Sequence, residues 1–272
     1  MGRLSRRIRH PCGRGLGMPG PVVDVLMYHS ISGVGGPPCI APAVFADQMA
    51  AIAEAGVPVI TLDDLVAARA GGPALPARSV IITFDDGFQD FAETAWPVMK
   101  RHGFRPMVYL PTDYIGGVEG WKGIGKPPRP LMGWPCIRDL SIEGVQFGSH
   151  TVTHANLNAL TPAQLREELA TSRREIEARL GRPVVHFAPP YGLANAAVRA
   201  AIARHYDTSV GTVLARATDR SDILNLPRLE MFYFTDPQRW RQHLAGRGGA
   251  YLLRRKLLRR VREAITNPWD GI

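Results

Sequence analysis

Two adjacent carboxylates, Asp85 and Asp86, close the segment Thr83-Phe84-Asp85-Asp86-Gly87, and two imidazoles bracket the later segment His150-Thr151-Val152-Thr153-His154. These residue types suit a borderline divalent ion such as zinc, which takes neutral histidine nitrogens and one carboxylate and, in a catalytic site, leaves a position open for water. With one aspartate ligating, the other is free to accept a proton, so the adjacent acids need not do the same work. The His-x-x-x-His spacing puts both rings on one helical face or on the same side of a tight loop turn. Alone it is weak evidence, because paired histidines also serve as caps and core residues. A third segment, Phe187-Ala188-Pro189-Pro190-Tyr191-Gly192, fixes the chain with two prolines and permits a turn at glycine that can aim a backbone N–H at a site.

The elements that must carry these residues are readable from periodicity. Continuous apolar runs at Val22 to Tyr28, Ser79 to Phe84 and Pro106 to Leu110 read as strands of a parallel, doubly covered sheet, as do the shorter runs Val57 to Ile60, Val145 to Gly148, Val184 to Phe187, Thr208 to Gly211 and Ile223 to Leu226. Phe45, Met49 and Ile52 recur at helical spacing before Gly56. Helices are also expected over Phe91 to His102, Ala194 to Tyr206 and Tyr251 to Thr266. Thr161-Pro162-Ala163-Gln164 is a capping box with proline in the first turn, opening a helix that runs to Leu180 and stops at Gly181. Pro111 to Pro135, dense in Gly, Pro and Trp, reads as a long functional loop. Alternating strands and helices predict an α/β barrel, which places Asp85 and Asp86 just beyond a strand's carboxyl end, where barrel sites lie.

At 272 residues and 45% apolar content the chain can bury one substantial core. No apolar stretch approaches the roughly 20 residues that span a bilayer. Cys12, Cys39 and Cys136 suit reduced thiols better than a disulfide framework, and with no small-residue cleavage site near the start the expected location is cytoplasmic. The net charge of +9 is concentrated in Arg3, Arg6, Arg7, Arg9 and Arg14 and in Arg254, Arg255, Lys256, Arg259, Arg260 and Arg262. The body between is close to neutral, which argues against a nucleic-acid partner. The division expected is a basic tail over 1–20, a catalytic domain over 21–236 and a basic helical extension over 237–272. In the last, Leu253, Leu257, Leu258, Val261 and Ile265 form an apolar stripe. Such a helix either packs on the barrel with its charges in water or lies peripherally on anionic lipid through Tyr251 to Thr266.

Taken in order, Leu26-Met27-Tyr28-His29-Ser30, Thr83 to Gly87, Gly148 to His154, Pro189 to Gly192 and Leu226-Pro227-Arg228 resemble the polysaccharide deacetylase family, carbohydrate esterase family 4. The resemblance implies a distorted (β/α) barrel of about seven parallel strands in one domain and metal-dependent hydrolysis of an N-acetyl group on a saccharide. It implies Asp85 as general base, Asp86, His150 and His154 as ligands of a divalent metal, zinc, and the backbone N–H of Tyr191 as an oxyanion donor. Asp90 matches no role and is expected to cap a helix.

Two departures stand out. Ala188 occupies a position where many members have the arginine that orients the base, and Arg228 could replace it from another strand. The late histidine that serves many members as general acid is absent between Leu226 and Met231. His29, at the end of the first strand, is the preferred donor, with His186 as the alternative. Trp121, Trp134 and Tyr114 offer flat faces to a sugar, or to the core. The same motifs would equally serve a non-sugar amide or a sugar ester, and an inactive carbohydrate-binding relative is the rival from another class.

Overall fold

The computed structural model describes residues 20–34, 39–121 and 127–265, with the side chains of 260 and 262–265 excepted. The basic tail expected over 1–20, with Cys12, therefore lies almost wholly outside the described residues, as do Thr266 and the side chains of Arg260, Arg262 and Ile265.

Seven strands close a barrel in chain order: β1 (Val22–Tyr28), β2 (Arg78–Phe84), β3 (Met107–Leu110), β4 (Gln146–Ser149), β5 (His186–Phe187), β6 (Thr208–Leu214) and β7 (Leu226–Glu230). Every neighbouring pair is parallel, including β7 with β1, as the sequence predicts. The distortion is local. β5 has two residues, and the β6–β7 register shifts between Val210 and Leu214.

The pleat divides the core into two clusters. Val23, Val25, Ile81, Met107, Tyr109, Ala188, Val210 and Leu226 fill the interior, while Leu26, Tyr28, Ile82, Phe84, Val108, Leu110 and Leu229 face the helices. Gly148 is required by this packing. A Cβ there would lie 2.7 Å from both the Tyr109 ring and the His186 carbonyl.

The outer layer contains α1 (Pro42–Glu54), α2 (Leu62–Arg69), α3 (Trp96–Arg101), α4 (Trp134–Ile142), α5 (Pro162–Leu180), α6 (Ala196–Ile202), α7 (Pro237–Leu244) and α8 (Gly249–Ile265). α5 has the expected Thr161–Gln164 capping box and ends at Gly181 with φ 65°. The segment expected as an extension divides in two. α7 buries Trp240 completely against α1, and α8 follows it with a largely exposed apolar side.

Several expected boundaries move. Val57 to Ile60 forms only a bridge, Val59 to Val80, because α2 begins at once from the Thr61–Asp64 capping box. The helix expected over Phe91 to His102 opens as a π turn over 91–95 and becomes regular at Trp96, with Pro97 in its first turn. The expected strand Ile223 to Leu226 starts three residues later, since Asp222 caps a turn onto Leu224. The long loop is interrupted by a 3₁₀ turn over Thr112–Tyr114 and ends where Trp134 opens α4.

Candidate active site

Asp85 and Asp86 follow β2 directly, and two backbone devices aim them differently. The Asp85 N–H donates to the Tyr28 carbonyl at 2.9 Å, extending the β1–β2 ladder and leaving its side chain inside the barrel. Asp86 then turns left-handed, with φ 74°, followed by Gly87 at 70°. Thr151, His154 and Tyr191 also have positive φ, at 74°, 56° and 60°. Among the described residues these four are the non-glycine positions with positive φ. Such backbone costs on the order of 1–3 kcal/mol per residue, and all four surround one point at the barrel's carboxyl end.

The two histidines come from a loop, not a helix. The His150 N–H continues from β4 by donating to the Leu110 carbonyl at 2.9 Å. The next turn is gripped by Glu168 of α5, which accepts from the Val152 and Thr153 N–H groups at 2.8 and 3.0 Å and from the Thr153 hydroxyl at 2.6 Å. His150 and His154 then present Nε2 at 3.4 and 3.3 Å from Asp86 Oδ1. All three side chains are buried, and their candidate ligand atoms lie within 4.8 Å of one another.

The chemistry of this triplet fits a divalent ion. Asp86 Oδ1 is buried without a hydrogen-bond partner although two imidazole nitrogens face it. A buried acceptor left in that state is costly unless something else satisfies it. His150 Nδ1 lies 2.6 Å from the Ala188 carbonyl, and the neutral ring can donate there only as the tautomer that leaves Nε2 as a lone-pair donor. Burial would raise the Asp86 pKa, but the facing imidazoles hold it well below the usual carboxylate range. Burial pulls both histidines down; Asp86 and Asp85 reverse this for His150, whose pKa is raised, whereas His154 stays lowered.

Asp85 sits beside the triplet and is held by a different partner. Arg228, on β7, donates Nη1 to Oδ1 and Nη2 to Oδ2, both at 2.7 Å, in a planar two-bond clamp. Arg228 is itself fixed by the Gly211 carbonyl at 2.8 Å and by Thr83 Oγ1 at 3.2 Å. Ala188 and Arg228 thus exchange small and large side chains across the interior, and the guanidinium reaches the carboxylate from β7. Burial pushes the Asp85 carboxyl up, but the Arg228 charge and hydrogen bonds, with His29 and His150, bring it below its ordinary value. Each carboxylate oxygen keeps a second lone pair for another donor.

His29 follows β1, and its Nε2 lies 3.8 Å from Asp85 Oδ2 with the side chain one quarter exposed. His186 is elsewhere engaged: Nε2 contacts Asp63 at 2.9 Å and Nδ1 contacts Thr208 at 2.8 Å. Asp90 makes no side-chain cap. Its carboxylate accepts from Ser30 Oγ at 2.5 Å and from the Ile31 N–H at 3.0 Å, tying down the loop that carries His29. Trp121 stacks on His154 at 4.3 Å between ring centroids, with Tyr114 edge-on to Trp121 and Tyr191 edge-on to His154. Burial, with Asp86 and Tyr114, pushes the Tyr191 phenol up to about 12. Trp134 belongs instead to the edge of the outer core, under Arg179.

Sequence reasoning did not single out Glu168, Asp90 or Tyr109 for this site. Tyr109 points inside the barrel, its buried hydroxyl has no hydrogen-bond partner, and Asp85 and Arg228 act on it electrostatically. Glu168 and Asp90 could not be matched to partners 15 and 60 residues away by local spacing.

The chain is 27% identical over 173 residues to YxkH of Bacillus subtilis strain 168, covering 64% of this chain and 58% of YxkH. It is 27% identical over 124 residues to the chitooligosaccharide deacetylase of Bradyrhizobium sp. strain ANU 289, covering 45% of this chain and 50% of that protein. The chain therefore spans about half the length of these curated relatives. The solved structure of IcaB from Ammonifex degensii superposes with a TM-score of 0.70 at 22% identity over 85% of this chain and 99% of that one, a likeness of fold. The family profile for polysaccharide deacetylase matches residues 72–208, which run from just before β2 into the start of β6 and include Asp85, Asp86, both site histidines and Tyr191. With just over half of its length matched, and with the matched half carrying the buried Asp–His–His triplet, the chain belongs to the polysaccharide deacetylase family.

Proposed function

We propose that this protein is a metal-dependent deacetylase that removes the N-acetyl group from an amino sugar in a glycan or glycan precursor, releasing acetate. One observation carries the reading: a carboxylate clamped by a buried arginine stands beside a buried Asp86–His150–His154 triplet whose carboxylate oxygen lacks a hydrogen-bond partner. Asp86, His150 and His154 are the residues that would hold the ion, and their donor set suits zinc. A divalent ion held there supplies Lewis acidity, polarising the acetyl carbonyl and making water more acidic.

The remaining work falls to side chains of this chain. Asp85 accepts a proton from the attacking water, while Arg228 keeps its carboxylate ionised and fixed in orientation. The Tyr191 backbone N–H, turned by its positive φ, donates to the oxygen that gains charge as water adds to the acyl carbon. His29 delivers a proton to the sugar nitrogen as the carbon–nitrogen bond breaks, leaving a free amine and acetate. Its partly exposed ring, with Nε2 3.8 Å from Asp85 Oδ2, stands at the same mouth as the base, which supports this role. The aromatic group Trp121, Tyr114 and Tyr191 beside His154 supports stacking against a sugar ring. The chitooligosaccharide named for the Bradyrhizobium relative supports an N-acetylated saccharide as substrate.

Chelator-treated protein titrated with zinc and other divalent ions provides the test. Acetate should appear with matching free amine from N-acetylated chitooligosaccharides, only when an ion is restored. Release that ignores chelation, or that occurs solely from O-acetyl esters or non-sugar amides, would overturn the proposal.

A further inference from the structure

α8 is held on one side and bare on the other. Tyr251 donates its hydroxyl to the Tyr233 carbonyl at 2.7 Å and packs on Phe234, and the Arg255 guanidinium lies 4.0 Å over the Tyr233 ring. Leu252 adds to the outer core. These contacts tie the helix to the segment that follows the carboxyl end of β7, the end that carries the site. Leu253, Leu257 and Val261, at successive four-residue steps, face the opposite direction and are 67%, 61% and 51% exposed, with Leu258 beside them at 49%. A helix packed to cover its own apolar stripe would show the reverse.

Charge selects the occupant. From 249 to 265 the sequence holds Arg254, Arg255, Lys256, Arg259, Arg260 and Arg262 against Glu263 alone. A second copy laid against this stripe in two-fold symmetry would bring arginines against arginines. Residues 1–19 carry five arginines and no acid, so they too are the wrong cover. An anionic lipid surface matches both features. Leucine and valine side chains enter the boundary between headgroups and acyl chains, and flanking cations meet the phosphates. No described helix is long and apolar enough to cross a membrane.

We propose that α8 is an interfacial helix that docks this protein on anionic membrane through Leu253, Leu257 and Val261. The docking surface is separate from the Asp85–Arg228 centre, and its consequence is that substrate would be met next to a lipid surface.

The test uses the full chain and flotation with two kinds of vesicle, phosphatidylcholine alone and phosphatidylcholine with about one third phosphatidylglycerol. Binding should be confined to the anionic vesicles and weaken as salt rises, since the charge contribution is screened over about 10 Å at 0.1 M. The triple variant Leu253→Gln, Leu257→Gln, Val261→Gln should reduce binding at least about tenfold. Because these side chains already face solvent, its thermal unfolding and its hydrolysis of soluble substrate should match the parent. Absence of binding to anionic vesicles at low salt, or undiminished binding by the triple variant, would overturn the proposal. So would concentration-dependent self-association that the same three substitutions abolish, for the stripe would then be an interface between copies.

Discussion

Two buried carboxylate clusters in this barrel use the same residue types to opposite ends. Asp24, on the outer face of β1, is fully buried and surrounded by donors: Arg216 Nε reaches Oδ1 at 2.9 Å, and Arg78 Nη2 and His243 Nε2 reach Oδ2 at 3.1 and 3.0 Å. Both oxygens are used, and the backbone is an ordinary strand. These donors come from β2, the segment after β6, and α7, so one carboxylate ties a helix to two parts of the barrel. At the mouth, Asp86 has a left-handed backbone and a buried oxygen without a hydrogen-bond partner. Asp and His buried together do not by themselves mark a site. The distinguishing features are a carboxylate oxygen left without a hydrogen-bond partner and a left-handed backbone at that same carboxylate.

The comparison is most sharply broken by exchanging what each cluster loses. Asp86→Asn should abolish acetate release and zinc binding while lowering the melting temperature of ion-free protein less than Asp24→Asn does, because asparagine tolerates positive φ and keeps an acceptor facing the two imidazoles. Activity together with thermal unfolding checks this. If the variant fails to fold without metal, the mouth cluster is a structural tie like the other one. Asp24→Asn should do the converse, lowering stability by about 1–3 kcal/mol as the Arg78, Arg216 and His243 donors lose a charged acceptor, with kcat/KM per folded molecule preserved. Urea unfolding paired with active-fraction assays would reveal any departure.

Acid sensitivity is a smaller effect of the same contrast. Burial would raise the Asp24 pKa, but the His243 hydrogen bond and the charges of His243, Arg216 and Arg78 leave it lowered. Its folded pKa thus lies below the unfolded value of about 3.9. That contribution to stability is fully present above the unfolded pKa and is lost as pH falls through the folded one. Stability measured against pH should therefore fall less steeply on the acid side in Asp24→Asn than in the parent. Equal slopes would show the Asp24 charge to be unimportant. Smallest of all, Trp121→Ala should raise KM for a saccharide by about tenfold or less, with kcat nearly intact, through loss of a stacking face.

The sequence carried the mouth cluster because its residues sit in short motifs at strand ends, where Phe84 to Gly87 and Ser149 to His154 bring several groups into one turn. Arg228 was suggested by the gap at Ala188, a compensation that only a barrel interior explains. The Asp24 cluster left no such trace. Its partners stand 54, 192 and 219 residues away, and no local pattern distinguishes Arg78, Arg216 or His243 from surface cations. The same reason hid Asp90 and Glu168, whose carboxylates secure the loops of His29 and the site histidines. Boundaries such as Val57 to Ile60 and Ile223 to Leu226 moved because capping residues at Thr61 and Asp222 outweighed β-branched propensity.

The division of labour between the adjacent aspartates is the centre of this account, and Asp85→Asn tests it most directly. Zinc stoichiometry by calorimetry and acetate release by coupled assay would be measured on the same preparation, with folding confirmed by circular dichroism. The account predicts that Asp86, His150 and His154 still bind one ion while turnover falls by at least about a hundredfold, the scale expected for loss of a general base. Turnover close to the parent's, or loss of the ion along with activity, would contradict it.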